Sequence, residues 1–203
     1  MSMALLTYAI VLITAGKNIQ DDQVLFDGVS FENWQVIDFE GHGNVSIVDS
    51  CIIIRKGELI SGIRWTEGFP KTNYEITLDA RRIDGSDFFC GMTFPVKESF
   101  LTLVLGGWGG SVVGLSCIDG YDAANNMTGT SFRFGSGWWY AVRLRVTDKK
   151  IEVWIEDEKI VDFTIDNSEL SLRWEVESSV PFGITTYKTT GALRNIRLHF
   201  ITE

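Results

Sequence analysis

Residues 73–82 read NYEITLDARR, in which Tyr74, Ile76, Leu78 and Ala80 alternate with Glu75, Thr77, Asp79 and Arg81. A β-strand sends successive side chains to opposite faces, so this order buries one face and wets the other; a helix would scatter the same residues around its axis. The segments YAVRLRV (140–146), KIEVWIEDEKIVDF (150–163) and NIRLHFI (195–201) repeat the period. Turn-forming GHGN, RKGE, DGSD, GSG, TDKK and EDEK interrupt the apolar runs, too closely for the crossover helices that parallel strands require. The pattern predicts one all-β sandwich of short antiparallel strands. Helix is confined to a short stretch around Asp122–Met127 or Asn167–Leu170. With 203 residues, 45% of them hydrophobic, the chain is long enough for a single domain with a sizeable core.

Residues 105–120, LGGWGGSVVGLSCIDG, place four glycines around Trp108. Neither GxGxxG nor GxxxxGKS/T occurs there, and the following SVVGLSCI reads as a strand. A phosphate cradle needs a helix N-terminus behind it. The glycines therefore mark a bend between LTLVL and SVVGLSCI that displays Trp108 at its tip. An aromatic face beside exposed backbone suits the apolar face of a sugar ring, whose hydroxyls bond to nearby polar groups; the competing reading folds the tryptophan back onto the core. The formal net charge of −9 and pI near 4.8 repel nucleic-acid phosphates and anionic membrane surfaces. Arg81-Arg82 and Lys149-Lys150 are isolated pairs, not a basic stripe.

MSMALLTYAIVLITAG (1–16) carries no charged side chain, and Ala4 to Ala15 form an apolar run of twelve. That run is too short for a stable membrane span and fits the hydrophobic region of a signal peptide, with small Thr14 and Gly16 at the cleavage spacing. The usual Lys or Arg ahead of the run is missing. On this reading the protein is exported, periplasmic or extracellular, and begins near Lys17. Cys51, Cys90 and Cys117 lie in apolar segments without metal-binding spacing and read as small core residues, with no metal site expected. IDGYDAANN (118–126) is rich in oxygen ligands but lacks the alternating acidic pattern of a calcium loop, so no calcium is predicted. His42 and His199 read as exposed surface residues.

LFDGVSFENWQV (25–36), NYEITLDARRIDGSDFFCGMTFPV (73–96), WWYAVRLRVTDKKIEVWIEDEKIVDF (138–163) and PFGITTYKTTGALRNIRLHF (181–200) together resemble the 3-keto-disaccharide hydrolase domain family over residues 24–201. SDFF and GGWGG resemble a branch of short exported members. The resemblance implies a concanavalin A-like jelly roll, a bacterial exported protein and a carbohydrate or modified sugar as ligand. It also implies a chemistry: a ketone at C3 acidifies the C2 proton, so a base can remove it and expel the C1 substituent. Such a site needs a base near C2 and a positive or hydrogen-bonding group near the C3 oxygen. Asp87 in DGSDFF and Asp119 in CIDG are the candidate bases, with Arg81 as oxyanion partner and Trp108 as stacking platform. Each has a structural alternative. Asp87 and Asp119 sit in turn signals beside glycine, and Arg81 can pair across the sheet. A hydrolase of 3-keto-glycosides and a non-catalytic carbohydrate-binding module are the two functional readings, with a matrix or adhesion protein as a third.

Overall fold

The structure is a computed structural model that describes residues 22–201; segment 1–16, read above as a signal peptide, lies outside the described residues. Strands make up 52% of them and helix 3%, which fixes the class as all-β. In chain order the strands are β1 (Gln23–Val24), β2 (Trp34–Val36), β3 (Val45–Val48), β4 (Cys51–Ile54), β5 (Ile60–Trp65), β6 (Tyr74–Asp84), β7 (Cys90–Val96), β8 (Ser99–Gly107), β9 (Val112–Ser116), β10 (Thr130–Ser131), β11 (Trp139–Val146), β12 (Lys150–Ile155), β13 (Glu158–Thr164), β14 (Gly183–Tyr187) and β15 (Thr190–Phe200). A first sheet runs β13-β12-β11-β6-β15-β4-β3 with β1 also paired to β15, and a second runs β10-β9-β8-β7-β14-β5-β2. Every pairing is antiparallel.

The alternation behaves as the sequence requires. Tyr74, Ile76, Leu78 and Ala80 of β6 are buried, whereas Glu75, Thr77, Asp79 and Arg81 are only partly covered. Their register partners Val142 and Leu144 on β11 and Leu193 and Leu198 on β15 continue the same inner face. Met92 and Phe94 of β7, Leu103 of β8, Leu115 of β9 and Ile184 of β14 supply the opposing layer. Tyr74 ties the layers together by donating its hydroxyl hydrogen to the Pro95 carbonyl at 2.6 Å. Its burial drives the phenol pKa well above the ordinary tyrosine value. Trp34, Trp65 and Phe182 close one end of the core, and the Trp34 indole donates to the Leu25 carbonyl at 2.7 Å. All three cysteines are buried and free; burial pushes the Cys90 thiol up to about 12, so it stays protonated and inert.

Neither predicted helical stretch is helical. Residues 122–127 are mostly turn, 167–170 run from a bend at Asn167 to an isolated bridge at Leu170, and the one helix among the described residues is a 3-10 segment, Trp174–Ser179. It sits within a strap, residues 171–180, laid against β5 and β14 on the outer face of the second sheet. That face carries small and hydroxyl side chains, among them Gly91, Thr93, Thr102, Ser116 and Thr185, all buried although they point away from the core. A sheet face made of such residues is low enough to leave room between itself and the strap.

Candidate functional site

The room is a cavity of about 350 Å3 on the outer face of the second sheet. Thr102, Val104 and Ser116 line it from β8 and β9; Asp87, Phe88, Trp108, Tyr187 and Ile60 come from the strand ends at one side; Arg173, Glu175 and Val176 come from the strap. Its size falls at the lower end of small-ligand sites, roughly 300–1,000 Å3.

Asp87 stands in the loop between β6 and β7. Its backbone N–H donates to Thr189 Oγ1 at 3.0 Å, and its Oδ1 accepts the Phe88 N–H at 2.8 Å. The aspartate thus closes its own turn, as its glycine-rich surroundings suggested, and still borders the cavity. Its Oδ2 also meets the Gly109 N–H at 3.5 Å, joining this loop to the one that carries Trp108.

Residues 106–110 turn the chain between β8 and β9 with Gly106, Trp108, Gly109 and Gly110 all at positive φ. Trp108 is 44% exposed, so the ring is on display and not folded into the core. The glycines have a local cause. The loop wraps the Arg82 guanidinium, whose Nη2 donates to the carbonyls of Gly106 at 3.2 Å and Gly110 at 2.8 Å. A Cβ at Gly106 would overlap that Nη2, and at φ +76° an L side chain is strained as well.

The strap is held by a short ladder to the end of β9. Cys117 and Ser171 exchange backbone hydrogen bonds at 2.8 and 3.2 Å, and the Asp119 N–H donates to the Glu169 carbonyl at 2.8 Å. Beyond the ladder, Arg173 grips Glu175 with two bonds, Nη2 to Oε1 at 2.7 Å and Nε to Oε2 at 3.2 Å. Burial works against the ionised form of Glu175 but is outweighed by Arg173 and a backbone N–H, leaving its carboxyl below the ordinary range. The same pair holds the Arg173 guanidinium above its ordinary value.

The four sequence-predicted site residues divide. Asp87 and Trp108 share the cavity. Asp119 does not line it: its Oδ1 accepts the Glu169 N–H at 2.7 Å and braces the strap ladder. Arg81 lies on the outer face of the first sheet, stacked over Trp139 at 4.4 Å with Arg194 at 4.2 Å from the same ring. The sandwich therefore separates Arg81 from Asp87, and the arginine charge felt beside Asp87 belongs to Arg82. Arg173, Glu175 and Tyr187 were missed; the stretch 171–180 has no periodicity to reveal which of its side chains turns inward.

In the 118–126 loop the side-chain oxygens of Asp119, Asp122 and Asn126 already have protein partners. Asp122 Oδ1 accepts from Ala124 and Asn125, and Asn126 Nδ2 donates to the carbonyls of Leu115, Tyr121 and Asp122. Among the described residues no group of three or more His, Cys, Asp and Glu is placed to hold a metal ion. His42 is exposed, whereas His199 is half-buried between Asp22 at 2.8 Å and Thr77 at 3.1 Å; neither borders the cavity.

The fold is thus a jelly-roll β-sandwich with a cavity of small-ligand size on the outer face of its second sheet. The chain belongs to the 3-keto-alpha-glucoside-1,2-lyase-like domain family, whose sequence profile matches residues 21–199. No curated protein matches it. Among solved structures, a protein of Parabacteroides distasonis described as a candidate glycosyl hydrolase aligns at TM-score 0.59 and 16% identity, over 90% of this chain and 95% of its own. The carbohydrate-binding module CBM66 from Bacillus subtilis aligns at 0.53 and 11%, over 81% and 94%. Domain 4 of AbnA, an extracellular arabinanase from Geobacillus stearothermophilus solved with arabinotriose, aligns at 0.54 and 14%, over 82% of each chain. At these identities the likeness is one of fold.

Proposed function

We propose that the cavity under the strap binds a 3-keto-glycoside and that Asp87 is the base that removes its C2 proton. The observation that carries this reading is the meeting of Asp87, Trp108 and Arg173 at one cavity of sugar size. Trp108 and Phe88 offer faces for the C–H side of the ring, and Thr102 and Ser116 offer hydroxyls from the floor. Asp87 takes the C2 proton and leaves an enolate on the C3 oxygen. The enolate then reforms the ketone, a C1–C2 double bond appears, and the C1–oxygen bond breaks, the departing oxygen taking up a proton. Addition of water to C1 with return of a proton to C2 completes net hydrolysis. Arg173 replaces Arg81 as the positive group facing the C3 oxygen. Its charge is always present, so stabilisation does not depend on a proton transfer. The family membership and the sugar-handling names of the structural neighbours support this reading.

The test is release of the aglycone from a 3-keto-glucoside, with deuterium uptake at C2 in heavy water as the signature of enolate formation. Asp87→Asn should lower kcat by roughly two to four orders of magnitude. Full turnover in that variant removes Asp87 from the role of base. A non-catalytic carbohydrate-binding module is the second reading. It is favoured by the Arg173–Glu175 pair, in which each charge already satisfies the other; sugar binding without turnover or deuterium uptake would establish it. We also propose export, on the strength of the uncharged segment 1–16, to be checked by mass spectrometry for a mature N-terminus near Lys17.

A further inference from the structure

Arg82 occupies an unusual position for a charged side chain. It follows Tyr74, Ile76, Leu78 and Ala80 on the inner face of β6 and is only 7% exposed. Its guanidinium lies over the rings of Phe89 at 5.1 Å and Phe134 at 5.9 Å. Nε is buried without a hydrogen-bond partner. Burial pulls its pKa down, and the charge of Asp87 works in the opposite direction. A buried charge with an unpaired N–H is costly, and an apolar side chain of similar length would fill the same space at less cost. Packing alone does not account for an arginine here.

What the arginine does that an apolar chain cannot is hold two carbonyls at once. Those carbonyls, of Gly106 and Gly110, are the two ends of the Trp108 loop. The Arg82 carbonyl meanwhile accepts the Gly137 N–H at 2.8 Å, fixing the backbone from which the side chain departs. On the other side of the loop, Asp87 reaches the Gly109 N–H. Loop, arginine and aspartate thus form one connected unit behind the cavity, and Arg82 itself does not line it.

We infer that Arg82 is the positioning residue of this cavity: its guanidinium ties both ends of the Gly106–Gly110 loop beside the Asp87 turn and sets the Trp108 ring and the Asp87 carboxylate in place before a ligand arrives. The inference rests on the reading of the cavity as the sugar site for its consequence in binding, and on the geometry alone for its consequence in the free protein. The cost of burying the charge falls on folding, so binding meets a preformed platform.

Hydrogen exchange in the ligand-free protein separates the two. Arg82→Met should speed exchange in the segment 106–110 by about tenfold or more while β11 and β12 keep their protection. Arg82→Lys, which keeps the charge but lacks the planar fork, should fall between wild type and Arg82→Met. Affinity for methyl 3-keto-α-glucoside should weaken in the same order, at temperatures where circular dichroism shows each variant folded. Unchanged loop exchange, or equal acceleration across the whole sandwich, overturns the inference. If wild type binds no sugar yet the loop loosens selectively, the sugar reading fails and the positioning role stands. Gly106→Ala keeps Arg82 and displaces the loop from it, so it should reproduce the selective loosening even if Arg82→Met does not fold; a protected loop in Gly106→Ala counts against the proposal.

Discussion

Trp108 is the residue at which exposure and function make different demands. A half-exposed ring at positive φ on a glycine loop contributes little to the core, so Trp108→Ala should leave the melting temperature nearly unchanged. Loss of a stacking face should weaken sugar binding by about 1 kcal/mol, roughly fivefold in Kd. Isothermal titration and a thermal melt on the same sample decide it: a fall in stability of the size expected for an emptied core site, about 3–5 kcal/mol, with unchanged affinity would return Trp108 to the core. The display of Trp108 was legible in its glycines. The arginine that requires a glycine at position 106 is readable too, by parity: the alternation that puts Ala80 inside puts Arg82 inside and Arg81 outside. Chemical type had suggested Arg81, and face assignment excludes it. Asp87 was singled out for the chemistry that the family resemblance implies, with a turn-forming role as its alternative; in the structure the side chain does close its own turn and also stands at the rim of the cavity.

At the level of elements, strands such as β6, β11 and β12 were readable because each carries its own period, whereas the strap has none. Residues 171–180 are placed by what they pair with, a ladder between 117–119 and 169–171 that joins parts of the chain some fifty positions apart. Sequence periodicity reports a face, not a partner at long range. This is why Arg173 and Glu175 escaped notice and why Asp119 was read as chemistry. Asp119 accepts a backbone N–H at the foot of the strap, so Asp119→Ala should cost about 1 kcal/mol. The loss should be local, seen as faster amide exchange at Glu169 and Ser171 and a modest drop in sugar affinity. A fall in turnover of about a hundredfold or more with unchanged exchange there would restore Asp119 to the reaction.

For the whole molecule the decisive element is the one added last. β15 pairs with β6 on one side and with β4 and β1 on the other, so it is interior to the first sheet, and Leu193, Ile196 and Leu198 enter the core from it. Its partners precede it by more than a hundred residues. Until β15 arrives, β4 and β6 present open edges above an uncovered core, an arrangement that invites association with other chains. A chain ending at Thr189 should therefore accumulate in aggregates and show no cooperative thermal transition. Removing β1 is the matched control at the opposite end. It has two exposed residues and pairs with β15 alone. The contact of Asp22 with the His199 ring that goes with it lies at the surface and is worth about 0–1 kcal/mol. A chain starting at Leu25 keeps the Leu25 N–H bond to the Ile196 carbonyl and should stay soluble, melting only a few degrees lower. Soluble, cooperatively folding protein from the chain ended at Thr189 would show that the second sheet and the remainder of the first suffice without β15.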